Sequence, residues 1–62
     1  MNSPILRYFE YEHLPRQMRE VSQMIAEVAE HMEAVLPANA EKSEGLRKLL
    51  EAKDCFVRAA LP

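Results

Sequence analysis

The sequence predicts an all-α chain: an antiparallel two-helix hairpin with an extended N-terminal arm, assembled as a homo-oligomeric helical bundle. Apolar residues from Met18 to Val35 recur at alternating steps of three and four, the spacing of one helical stripe. The prolines stand at 4, 15, 37 and 62, outside both periodic stretches. A chain of 62 residues with a single cysteine has no internal disulfide to make up for a small core. At this length it forms one domain, 1–62, and buries only about 60% of the surface its unfolded form exposes. Two helices alone are marginal in water, so pairing with further copies is the remaining device.

Residues 1–13 lack helical periodicity. Phe9 alternates with Tyr11, and Tyr8 with Glu10, which suits an extended arm. Pro15 fits the first turn of a helix, where its missing N–H does no harm, and Leu14 before it is biased away from helical angles. Helix one is expected over 15–36. Met18, Val21, Ile25, Val28, Met32 and Val35 form a seam three heptads long, widened by Ala29 and Leu36. Arg16, Gln17, Glu20, Gln23, Glu27, Glu30 and Glu33 take the polar surface, and Pro37 ends the helix.

Helix two is expected over 39–61. Asn39 is a good N-cap, with Glu41 and Glu44 near the positive helix end. Leu46, Leu49, Leu50, Phe56, Val57 and Ala60 continue the apolar face. The Pro37–Ala38 connection is too short for anything except an antiparallel return. Gly45 costs about 1 kcal/mol against alanine inside a helix; it marks a close helix contact or has no role.

The balance of 48% hydrophobic and 29% charged residues is that of a globular chain rather than a disordered one. A net charge of −2 argues against long nucleic acid and anionic membrane as partners. No stretch approaches the roughly 20 apolar residues of a membrane span, and MNSPILRYFEYE lacks the pattern of a secretory signal. With Cys55 as the lone cysteine, a reducing, cytoplasmic location is expected. His13 and His31 have no Cys or His at ligand spacing, Cys55 has no adjacent base, and no phosphate loop or HExxH motif occurs. Neither enzyme activity nor a metal or cofactor is expected.

Lys53 interrupts the apolar stripe between Leu50 and Val57. Either its stem packs and its ammonium snorkels outward, or it faces a shared pocket that receives an anion such as phosphate. Arg58, about a turn further, is the second candidate cation. In the arm, aromatic rings stack on bases while arginine or His13 meets phosphate. Phe9 reads better as a lid over the helix pair; the Tyr11 ring stacks while its hydroxyl makes a polar contact.

The string Pro37-Ala-Asn39-Ala-Glu41-Lys42-Ser43, followed by Leu49-Leu-Glu51-Ala52 and then Ala59, resembles the phage anti-CBASS and anti-Thoeris helical-hairpin domain. Glu27 to Pro37 is similar to the first helix of that hairpin, and Phe9-Glu-Tyr11 before Pro15 to its aromatic arm. The resemblance spans roughly residues 9 to 60. It implies a non-enzymatic, phage-encoded homo-oligomer acting in the host cytoplasm. Such proteins sequester cyclic nucleotide immune signals (cyclic oligonucleotides or cyclic ADP-ribose isomers) between protomers. Tyr11 matches the arm's tyrosine, and Glu41, Lys42 and Ser43 match the start of helix two. Two departures leave room for a different ligand: Ser22 stands where an arginine is common, and Lys53-Asp54-Cys55-Phe56 replaces an aromatic-rich stretch.

The expected ligand contacts are therefore Tyr11, Lys53, Arg58, Lys42 and Ser43, with Phe9 and His13 from the arm. Symmetric assembly brings such residues together from different copies, and an acidic protein still holds a local basic pocket. The alternatives are a small oligomeric adaptor that binds or inhibits a partner protein, and a purely structural oligomer. Convergence of Tyr11, Lys53, Arg58 and Lys42 on a cavity at the protomer interface favours sequestration; their scatter on open surface favours the adaptor.

Overall fold

The computed structural model describes residues 3–61. A 3-10 helix, Pro4–Phe9, leads through a short turn to α1, Arg16–Val35, and α2, Ala40–Ala59, returns alongside it. The helices lie within two residues of the expected bounds, inside the ordinary uncertainty of helix ends.

The arm differs from the expectation of an extended segment over 1–13, of which residues 1 and 2 lie outside the described residues. Pro4 presets the dihedral of a first helical turn, and the Leu6 N–H reaches the Ser3 carbonyl at 3.1 Å. The apolar residues Ile5, Leu6 and Phe9 are spaced for one helical face. Burial of that face outweighs the alternation of Phe9 and Tyr11.

α1 has no glycine or proline within it, and Leu36 N–H closes its end on the Met32 carbonyl at 3.1 Å. Pro37 cannot continue it. The Asn39 side chain then accepts from the Lys42 N–H at 2.8 Å, the capping bond that opens α2.

The body measures 38 × 18 × 15 Å, less than two helix diameters of about 10–12 Å across, so few residues can be far from the surface. The buried set is Phe9, Ser22, Ala26, Ala29 and Leu46. Ser22, Ala26 and Ala29 form one stripe of small residues on α1, and Leu46 of α2 and Phe9 of the arm fill the space beside it. Ile5, Leu6 and Leu50 pack around them. The expected seam joins the two helices only in part: Ile25 packs against this core, and Met18 and Val21 are half-buried. It lies roughly 100° around α1 from the small stripe, at 3.6 residues per turn, and Val28, Met32 and Val35 remain 43%, 38% and 56% exposed. The arm covers one side of the helix pair; the side carrying Val28, Met32 and Leu49 is open.

Candidate functional site

At the end of the hairpin away from the turn, Tyr11, Glu12, Arg16, Arg19, Glu20 and Gln23 line a polar cup of about 300 Å³. It forms where α1 begins. Helix starts leave four backbone N–H groups without intrahelical partners, usually met by a capping side chain or a first-turn carboxylate. Here Pro15 is the N-cap and supplies no side-chain hydrogen bond, and the first turn holds no acidic residue. Arg16 and Arg19 stand there instead, on the side of the macrodipole where cations are disfavoured. Glu12 accepts from the Tyr11 N–H at 3.3 Å, and Tyr11 packs against the core cluster, which anchors that wall of the cup. The arrangement offers an anion two guanidiniums, a positive helix end and an aromatic neighbour, against two carboxylates, Glu12 and Glu20, on the same rim.

His13 is exposed in the turn just before α1. Lys53 and Arg58 lie toward the same end, on α2. The Lys53 side chain is 12% exposed, with its ammonium 2.8 Å from Asp54, so the stem packs along the hairpin. Arg58, exposed in the last turn, donates to Cys55 Sγ at 3.3 Å.

Lys42 and Ser43 belong to the other end. Lys42 and Lys53 are about 16 Å apart along α2 at 1.5 Å per residue. The Lys42 ammonium pairs with the Glu33 carboxylate and donates to the carbonyls of Glu33 and Leu36 at 3.0 and 3.1 Å. Ser43 borders a shallow hollow under the arm with Ser3, Ile5 and Arg47. Phe9 is 2% exposed and belongs to the core, which corrects its expected part in a ligand site: its ring is held by Ala26, Ala29 and Leu46. Within one chain the candidates thus divide between the two ends.

Several ionisable side chains are held by their neighbours. Lys42, with help from the Ser3 N–H, pulls the Glu33 carboxyl down to about 2. Arg47 lowers Glu44 and is itself raised by it, as an exposed pair within one helix. Arg7 is raised by Tyr8, whose hydroxyl accepts from it at 2.9 Å; its guanidinium lies 5.0 Å from the Tyr8 ring centre. That stacking occupies the arm's arginine.

The second concavity is the open groove, about 420 Å³, floored by Val28, Met32, Leu46 and Leu49 and edged by Gly45 and Glu41. Its lining is mostly apolar, unlike the cup.

Arg16 and Arg19 are the residues that sequence reasoning passed over: Arg16 was read as polar surface and Arg19 was given no role. Their signal was present: two arginines in a helical first turn, behind a proline N-cap, with no acid among them. Comparison with family models, curated proteins and solved structures found no match.

Proposed function

We propose that this chain is a non-enzymatic binding protein that, as a homo-oligomer, sequesters a cyclic nucleotide-type immune signal and so blocks host anti-phage defence. The observation that carries this reading is the cup at the start of α1: a helix end with no capping side chain, Arg16 and Arg19, and Tyr11 beside them. A cyclic oligonucleotide or cyclic ADP-ribose isomer presents phosphates and bases close together. Guanidiniums meet phosphate oxygens in pairs, and a helix N-terminus favours the anion. The ring offers a stacking face that accepts any base.

A cup of about 300 Å³ is at the low end of small-molecule sites, roughly 300–1,000 Å³. A further copy, meeting the hairpin at this end rather than along the groove, therefore supplies the remaining walls. Lys53 and Arg58, at the same end of the hairpin, are the cations nearest at hand for that purpose. Binding removes the signal by mass action, with no bond broken, in the cytoplasm of the host cell.

Titration calorimetry with cyclic di- and trinucleotides and cyclic ADP-ribose isomers tests the proposal. The expected result is saturable binding of at least one ligand, recovered intact. The bound protein is stabilised by about 2.7 kcal/mol at a hundredfold excess over the dissociation constant. Silence across the whole panel overturns it. The exposed apolar groove favours a second reading, an adaptor that docks a partner protein there; that reading requires the panel to be silent and the groove to be needed for partner binding.

A further inference from the structure

We infer that a second copy of the chain closes the open groove, packed antiparallel with Gly45 on the two-fold axis; the inference deepens the homo-oligomeric reading and rests on it. Gly45 is the starting point. It is exposed in the sixth position of α2, where glycine weakens a helix. Its φ is not positive, so the backbone does not call for glycine. A Cβ built there meets no atom within 4 Å, so packing within the chain does not call for it either. A glycine with neither reason, at the edge of an apolar groove, is explained by a neighbour that approaches where a side chain would stand.

The flanking charges identify that neighbour. Glu41 and Lys48 lie on the same side of α2 as Gly45, one turn before it and nearly one turn after. Glu41 makes no ion pair among the described residues, and Lys48, 67% exposed, reaches Glu44 only at 3.7 Å. An antiparallel two-fold axis at Gly45 brings Glu41 of each copy within one residue's rise, about 1.5 Å, of the level of Lys48 of the other. Such self-complementarity is what an isologous contact requires. The Glu33–Lys42 pair fixes the level of α1 against α2, so the same axis passes beside Glu30 and brings Val28 of one copy against Met32 of the other. Both are half-exposed apolar residues in the single chain. The product is a four-helix bundle in which the seam on α1 finds the cover it lacks.

Sedimentation equilibrium on the full chain tests this. Gly45→Gln fills the gap with a better helix former, so helix content by circular dichroism holds or rises while self-association weakens by about tenfold or more. Glu41→Lys weakens association, and the double variant Glu41→Lys/Lys48→Glu restores it. Positions 41 and 48 are too far apart along one helix for the second change to repair the first within a chain. A wild-type oligomer indifferent to Gly45→Gln overturns the seam and leaves homo-oligomerisation standing. A wild-type monomer at micromolar concentration overturns both, and leaves the groove to a different partner.

Discussion

Glu33, near the end of α1, and Lys42, in the first turn of α2, form an ion pair that ties the two helices across their turn. Their side chains are only 8% and 9% exposed. Lys42 also donates to the carbonyls of Glu33 and Leu36, among the last groups of α1 that have no intrahelical donor. Glu33 in turn accepts the Ser3 N–H. One lysine thus caps α1, one glutamate holds the arm, and together they set the register of the hairpin.

Lys42→Met keeps the stem and removes the ammonium, leaving the Glu33 carboxylate shielded and unpaired. The variant is expected to melt several degrees below wild type, and the arm to exchange its amide hydrogens faster than α1 and α2 do. Thermal unfolding and hydrogen exchange measure the two effects. An unchanged melting temperature means that the pair contributes nothing net.

The same pair makes stability depend on acid. Glu33 titrates near 2 in the folded chain, against an ordinary value of 4.5. A depressed carboxyl contributes stability that is complete above the unfolded value and is lost as pH falls through the folded one. The advantage of wild type over Glu33→Gln should therefore be constant above about pH 5 and shrink steadily as the pH is lowered toward 2. Melting curves of both proteins through that window give the answer; a parallel decline rejects the assignment.

Ser22 is fully buried in the helix contact and its hydroxyl has no hydrogen-bond partner. Its neighbours in the small-residue stripe are alanines. Ser22→Ala removes an unsatisfied polar group and improves helix propensity at once, for an expected gain of about 1 kcal/mol. Urea unfolding reads it. A loss of stability shows that the hydroxyl serves a contact made only in the assembly.

The hairpin was legible because its signals are local. The period of Met18 to Val35, the Asn39 cap and the stop at Pro37 each act within a few residues, and the structure follows them. The choice of face was not legible. Hydrophobicity ranks Val28 and Met32 above Ser22 and Ala26, yet small residues let two helices approach, and the half of the seam from Val28 to Val35 was left outside. The arm misled for a related reason: its alternating rings suggested a strand, while the proline and the burial of Phe9 favour a tight helix. Lys42 was read as a ligand contact from its place near a helix start, and no local pattern shows that a glutamate nine residues earlier lies against it.

Arg16 separates a structural from a binding role most sharply, because the two make opposite predictions. An arginine at the start of α1 opposes the macrodipole, and no capping side chain or first-turn acid offsets it. Arg16→Glu places a carboxylate there and should raise stability by about 0.3–1 kcal/mol, or roughly 2–8 °C in a chain of this size. The same change puts a negative charge where the proposal seats a phosphate, so signal affinity should collapse. A variant that melts higher and binds nothing has given up a destabilising feature that served the ligand. A variant that melts higher and binds as before removes the cup from the function and leaves Lys53 and Arg58 to account for the site.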